Sequence, residues 1–314
     1  MPRSSIELKA GRRRVPLSNP DKVLYPSSGF AKRDLADYYL RIAPVILPHL
    51  RGRPLTVKRY PDGVTGQFFY QKHSPDHRPD WVTTAVVQPE PDDKKIRYTV
   101  VTQAATLAWL SSLAGIELHV PMGRARTPTK PTAMVFDLDP GPGTGLPECA
   151  RVAVRLRDTL ARLDLQSWTK TSGSKGLQLY VPLNTPATAE ETKEAARQLG
   201  DILARETPRE VTTTMAKAAR KGRVFIDWSQ NDAHKTTVCV YSLRATARPQ
   251  VSTPLQWEEV ERAASGARGA RRKAAGKDGG LVFDPSAVLA RVEKHGDLFA
   301  PVLTLRQSLR ALRR

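Results

Sequence analysis

Three aspartates carry the strongest chemical signal in this 314-residue chain. Two of them, Asp137 and Asp139, stand in AMVFDLDPGPG. Read as a strand, that segment alternates its faces. Val135, Asp137 and Asp139 then share one side, and Met134, Phe136 and Leu138 share the other. Two carboxylates on one face can share a divalent cation, and the proline–glycine run ends the strand beside them. The third, Asp227, stands in RVFIDW on the side of Phe225, opposite Val224, Ile226 and Trp228. A carboxylate at the end of an apolar strand is costly to bury unless it is paired or metal-bound. If the two strands are neighbours, the three acids form an oxygen ligand set suited to two hard cations. Such a pair activates an attacking hydroxyl and stabilises a leaving phosphate oxygen.

A second candidate lies between those strands, in TSGSKGLQLYVPL, residues 171–183. Gly173 and Gly176 let backbone N–H groups approach a phosphate, and Lys175 adds a point charge. Taken alone, such a stretch is more often a plain turn. In the strand that follows, Gln178 and Tyr180 share a face, opposite Leu177, Leu179 and Val181. Asp-x-Asp alone is likewise a weak pattern, since acids at strand ends also cap helices and turns. It also resembles the motif of haloacid-dehalogenase phosphatases, whose nucleophile and acid would be Asp137 and Asp139. Those enzymes carry Thr or Val two places after the second Asp, where this chain has Gly141. They would also leave its charge unexplained.

Fifty Lys and Arg against 31 Asp and Glu give a formal charge of +19 and a pI near 10.2. A polyanionic partner follows, because each neutralised phosphate releases a counterion. Only Cys149 and Cys239 are present, too few for a disulfide framework, and no Cys/His pair has zinc-ligand spacing. No apolar run is long enough to span a membrane. The N-terminus is basic but lacks the apolar stretch of a secretory signal, so a cytoplasmic location is expected.

Several elements position these residues. Residues 1–16 read as a basic arm. Helical spacing at Leu35, Tyr38, Tyr39 and Ile42 predicts a helix that Pro44 ends or bends. RPLTVKRY, QFFYQK and KIRYTVV read as strands, and TLAWLSSLAGIELHVPM as a helix leading into a strand. PECARVAVRLRDTLARLD and residues 188–206 read as helices, and KTTVCVYSLRA as one further strand. Residues 261–280, small and basic, read as a linker, and 281–314 as a helical segment. Alternating strands and helices place the chain in the α/β (α+β) class.

Taken in order, VFDLDPG, TSGSKGLQLYVPL, VFIDWSQN and YSLRA resemble the archaeo-eukaryotic primase-polymerases. The resemblance is strongest to the polymerase domain of bacterial DNA ligase D and its stand-alone actinobacterial relatives. NPDKVLYP, KRYPDG, FFYQK and ELHVP also resemble that family, so the likeness runs over 17–300. It implies two β-sheets with flanking helices around a central cleft, with an RRM-like catalytic subdomain over about 131–260. A DNA-end-binding subdomain would occupy about 17–130. It implies templated addition of nucleotides, ribonucleotides preferred, to a 3′-hydroxyl with two Mn²⁺ or Mg²⁺ ions. The substrates would be short gaps and broken DNA ends bearing a 5′-phosphate, in end joining or gap repair. A DNA ligase and the Ku end-binding protein would be partners, on nucleoid DNA of a bacterial cytoplasm. With no ligase or nuclease module in the sequence, a stand-alone polymerase is expected.

Carried over by position, the resemblance makes Asp137, Asp139 and Asp227 metal ligands. It assigns Ser172, Lys175, Arg244 and His119 to the incoming nucleotide. Lys22 and Lys32 would grip the 5′-phosphate, and Phe68 and Phe69 would contact the template base. Aromatic faces stack on exposed bases for about 1–3 kcal/mol each. Strand alternation does not let both phenylalanines project one way. Lys58, Arg59 and Arg220 are further candidates for backbone or phosphate contacts. Two departures stand out. Gln178 occupies a position where the family usually has histidine; strand alternation lets it face the nucleotide as a further nucleotide-binding residue, and its amide can donate to a phosphate oxygen but cannot become cationic. The connection MGRARTPTKPTA before the first Asp is short and very basic, which bears on how a template strand is held. An alternative is therefore a DNA-end-binding module whose polymerase activity is attenuated by Gln178. A two-metal phosphatase or nuclease is the third reading.

Overall fold

The alternation in AMVFDLDP becomes the strand Ala133–Pro140. It lies inside a six-stranded sheet ordered Val211–Thr212, Val224–Asp227, Ala133–Pro140, Leu177–Pro182, Trp168–Thr171, Pro254–Leu255. Both of its neighbours run antiparallel to it. Met134, Phe136 and Leu138 are buried with Leu177, Leu179, Val181, Val224 and Ile226. Two helices, Leu146–Ala161 and Ala189–Glu206, pack on this sheet. Gly200 of the second lies against Ile226, and Cys149 of the first donates its S–H to the Leu138 carbonyl at 3.4 Å. The second helix starts where its sequence says it should. Thr188 accepts from the Glu191 N–H while Glu191 accepts from the Thr188 N–H, a reciprocal cap.

In the computed structural model, residues 4–88, 90–266 and 278–309 are described. They form two compact units. The first comprises Met1–Pro128, Thr236–Ser252 and Phe283–Asp297; the second comprises Thr129–Lys235, Thr253–Val282 and Leu298–Arg314. The six-stranded sheet belongs to the second unit. The first is built on a four-stranded sheet ordered Thr237–Val238, Gly115–Val120, Thr56–Arg59, Phe69–Gln71. Helices Lys32–Leu50 and Ala104–Ser112 pack on one another beside it. Among the described residues no helix is long and apolar enough to cross a membrane.

Several elements differ from their sequence expectation. The expected basic arm is a β-hairpin, Ser5–Ala10 paired with Arg13–Ser18. It buries Val15 and Leu17, and its charges face out. The helix from Lys32 is not ended by Pro44. It runs to Leu50 through Pro44 and Pro48. Its inner face, Leu35, Tyr38, Tyr39, Ile42 and Ile46, is buried. Tyr38 and Tyr39 also donate to the Tyr241 and Ile116 carbonyls at 2.8 and 2.6 Å. That burial outweighs the lost backbone bond. KTTVCVYSLRA is two short strands, Thr237–Val238 and Leu243–Arg244, parted at Tyr241, whose φ is 65°. Of the expected linker 261–280, residues 261–266 finish a helix, Trp257–Gly266, and bury Ala263. Residues 278–280 form a turn, and 267–277 lie outside the described residues. The C-terminal segment contributes Pro285–His295 to the first unit and Pro301–Thr304 to the second.

Pro44 is exposed, so its substitution tests the helix alone. Pro44→Ala restores an N–H donor to the helix interior and is expected to raise stability by about 1–3 kcal/mol. The urea midpoint measures it.

Candidate active site

The second unit brings Asp137 and Asp227 directly opposite each other across adjacent strands. On its other side Asp137 faces Gln178, and Gln178 in turn faces Lys170. Opposed residues in antiparallel strands share a face. Lys170, Gln178, Asp137 and Asp227 therefore stand in one row across four strands. Asp139, two residues on, is exposed and lies opposite Phe225, over whose ring the Arg220 guanidinium sits at 3.6 Å. Arg220 also donates to the Met215 carbonyl.

The acids of the row differ in their surroundings. Asp227 turns onto the helical turn that follows it: its Oδ1 accepts from the Ser229 N–H at 3.0 Å and from the Ser229 hydroxyl, and its Oδ2 from Gln230 at 3.0 Å. Lys235 donates to the same Ser229 hydroxyl. Asp137 has no such cap. Its Oδ1 is sealed from solvent with no hydrogen-bond partner. Burial pushes its carboxyl up to about 7; Asp139 and Asp227 add to this, while Gln178 and Lys170 oppose it. Among the described residues no three His, Cys, Asp or Glu are gathered tightly enough to hold a metal as they stand. Both Asp227 oxygens are engaged by the helical turn that follows it. The donor chemistry still fits a hard cation: the acids offer oxygen only, and the orphaned Asp137 oxygen is a buried acceptor lacking a positive partner.

The loop at 172–176 leans on this strand. Gly176 packs so close that a Cβ there would run into the Leu138 carbonyl, and Gly173 takes φ 68°. Ser172 serves the loop: its hydroxyl accepts from the Ser174 and Gly176 N–H groups at 3.3 and 3.2 Å. Lys175 is exposed at the tip. Gln178 is buried.

In the first unit the remaining nucleotide candidates gather on an acid that the sequence reading passed over. Glu117 is 2% exposed. It meets His119 at 2.8 Å, Arg244 at 3.3 Å, the Ala245 N–H at 3.0 Å and Lys58 at 4.0 Å. Burial would raise its proton affinity. His119, Arg244 and the Ala245 N–H outweigh that and hold it down at about 2. His119 is itself lowered by burial and by the cations Arg244 and Lys58, against the pull of Glu117. A neutral imidazole donating to a carboxylate reconciles the two, with Arg244 as the true counter-ion. Arg244 had been expected within the catalytic half, yet its segment belongs to this first unit.

The same sheet settles the phenylalanines. Tyr70 lies opposite Lys58, and Phe69 opposite Arg59. Lys58 reaches over Phe68, Tyr60 and Tyr70 at 3.9, 5.2 and 5.6 Å, while Arg59 lies over Phe69 at 5.0 Å. Phe68 and Tyr70 thus form one platform and Phe69 another, all exposed. Lys22 donates to Asp62 at 2.9 Å. Lys32, at the first turn of its helix, is buried and donates to the Ser18 carbonyl at 2.8 Å. Burial, then the charges of Lys22 and Arg59, lower its ammonium to about 8.

The sequence profile describing the LigD primase-polymerase domain matches residues 31–277. This chain belongs to the LigD primase-polymerase family. It is 40% identical over 291 residues to the multifunctional non-homologous end joining protein LigD of Mycolicibacterium smegmatis. That match covers 92% of this chain and 36% of the relative. It is 31% identical to the bifunctional non-homologous end joining protein LigD of Bacillus subtilis, over 77% of this chain and 38% of the relative. The chain therefore spans about a third of the length of the curated relatives it matches. Among solved structures it resembles the polymerase domain of Mycobacterium tuberculosis ligase D in complex with DNA. The TM-score is 0.82 at 36% identity, covering 93% of this chain and 99% of that one. The mixed α/β fold is that of the LigD polymerase domain, an archaeo-eukaryotic primase-like fold. Membership makes the chain a nucleotidyltransferase domain and sets aside the phosphatase reading.

Sequence reasoning missed Lys170, Glu117 and Tyr70. Glu117 was within reach, since it alternates in step with His119 in GIELHV. Lys170 was not, because only strand pairing puts it beside Gln178. The raised Asp137 carboxyl has a measurable consequence. Below about pH 4 it is protonated folded and unfolded, and costs nothing. Above about 7 it is ionised in both states and the full penalty applies. Metal-free protein should therefore lose stability between those values. Asp137→Asn should remove the loss and raise stability at pH 8 by on the order of 1–3 kcal/mol, read from melting temperatures across pH in chelator.

Proposed function

We propose that this chain is a metal-dependent repair polymerase that adds nucleotides, ribonucleotides by preference, to a 3′-hydroxyl. Its substrates are short gaps and broken DNA ends with a 5′-phosphate, and its setting is bacterial non-homologous end joining on nucleoid DNA. The observation that carries this is the acid row with its orphaned, buried Asp137 oxygen. Family membership, relatives named for end joining and a structural neighbour in complex with DNA support it. Ku and a DNA ligase are the partners that this setting implies.

Asp137, Asp139 and Asp227 would hold two Mn²⁺ or Mg²⁺ ions, which when bound supply activation of the 3′-hydroxyl and neutralise charge on the leaving pyrophosphate. Gln178 donates to Asp137 and favours its charged form against the pull of burial. Ser172 holds the 172–176 loop in shape by accepting from the Ser174 and Gly176 N–H groups, so that Lys175 at its tip meets the triphosphate. Within the first unit, Arg244 is the candidate for a nucleotide contact, and the neutral His119 holds it through the Glu117 network. The first unit reads the DNA end. Lys22, Lys32 and Arg59 form the 5′-phosphate site, where mutual repulsion among three cations is relieved by an anion. Phe68, Phe69 and Lys58 meet the template strand, and Arg220 is a backbone contact of the second unit.

Primer extension across a short gap tests this, with and without a 5′-phosphate, comparing ribo- with deoxyribonucleotides and Mn²⁺ with Mg²⁺. Templated addition that disappears in Asp137→Ala and Asp139→Ala is expected. No addition under any condition sinks the reading. Tight 5′-phosphate-dependent binding without addition would favour the end-binding alternative. The Lys32 ammonium, lowered to about 8, should also make the preference for a 5′-phosphate fade as pH rises from about 7 to 9. Lys32→Met should weaken that preference severalfold and flatten its pH dependence, measured by anisotropy on paired duplexes.

A further inference from the structure

Lys170 is unusual for its position. It is 1% exposed, on the strand Trp168–Thr171, and its Nζ donates to Gln178 Oε1 at 2.5 Å. Its ammonium also lies 5.6 Å from the Tyr180 ring centroid. Burying an ammonium is costly, and a well-packed apolar side chain commonly serves stability as well or better. A lysine kept there calls for a reason other than packing.

The chemistry of its partner supplies one. A glutamine amide has an accepting end and a donating end, and an ammonium can only donate. Contact with Lys170 therefore fixes the Gln178 oxygen on the Lys170 side. The amide NH₂ is left for the opposite neighbour, which by strand register is Asp137. The Gln178 side chain does hydrogen-bond the Asp137 carboxylate, while Asp137 Oδ1 remains without a partner. An amide turned the other way would set an oxygen against a carboxylate.

We propose that Lys170 is a positioning residue of the acid row: it locks the Gln178 amide with its NH₂ towards Asp137, and so leaves the other Asp137 oxygen for a divalent cation. This rests on the acid row being the metal site of the proposed polymerase. Partners that orient a ligand from behind are worth about 10- to 100-fold in metal affinity. Lys170 and Gln178 act as one device, so removing both should cost no more than removing either.

The test titrates Mn²⁺ alone into the full chain, with free ion followed by electron paramagnetic resonance and no nucleotide or DNA present. Lys170→Met and Gln178→Leu should each weaken Mn²⁺ binding by about 10- to 100-fold. The double variant should match the weaker-binding single. Lys170→Arg, which keeps a cationic donor, should retain most of the affinity. A merely structural lysine would instead lower the melting temperature and leave Mn²⁺ affinity in the folded fraction unchanged. Should Lys170→Met fail to fold by circular dichroism, Lys170→Ile replaces it in a setting that favours β-branched residues. Unchanged Mn²⁺ binding in the lysine variant, additive losses in the double, or no Mn²⁺ binding by the wild type overturns the proposal. Mn²⁺ binding with a non-additive cycle but no primer extension would sink the polymerase reading and leave the role of Lys170 standing.

Discussion

The candidate catalytic chemistry of the second unit depends on the register of one strand, Ala133–Pro140, against its two antiparallel neighbours. A slip of one residue would turn every side chain to the other face. The apolar face resists that slip, because Met134, Phe136 and Leu138 have no other place to be buried. The Leu138 carbonyl reinforces it, taking the Cys149 S–H on one side and the close approach of Gly176 on the other. With that face fixed, Asp137 can only stand between Gln178 and Asp227. The energy that orders the site is hydrophobic, although everything in the site is polar.

The chain treats the buried Glu117 and the half-buried Asp137 in opposite ways. Glu117 is surrounded by donors and cations, and it is held ionised at about 2. Its charge is satisfied within the protein, so it organises Lys58, His119 and Arg244 without calling for a ligand. Asp137 has neighbouring carboxylates and an oxygen with no partner, and its carboxyl is pushed up to about 7. That environment disfavours the charge the residue must carry to bind a cation. Ionising Asp137 therefore lowers local stability, a cost commonly held at functional positions and offset by the surrounding fold. At Lys32 the sign is reversed: burial and the nearby charges of Lys22 and Arg59 disfavour its ammonium.

Much of this was legible in the sequence. Period-two alternation put Asp137 and Asp139 on one face, and the spacing of Leu35, Tyr38, Tyr39 and Ile42 marked the first long helix. Motif order alone reached the LigD primase-polymerase family. Errors arose where a local rule met a tertiary override. Pro44 is a helix breaker by its own chemistry, but two tyrosine hydroxyls and a buried face carry the helix past it. The basic N-terminus reads as a solvated arm, but Val15 and Leu17 find a helix to pack on. Arg244 lies in sequence among catalytic-half residues, but its segment returns to the first unit.

By itself the sequence determined the residue types, their alternation and hence which side chains share a face within each strand. It also determined the net charge and the glycines that allow the 172–176 loop its close approach. Only the tertiary structure decided which strands are neighbours and in what register. Cross-strand pairing joins residues far apart in the chain, and no local pattern encodes it. Gln178, a departure from the family pattern when read alone, is in the fold the middle of a row that runs from a buried lysine to two carboxylates. Its partner Lys170 lies only eight positions earlier, yet it becomes a partner because the two strands turn back on each other.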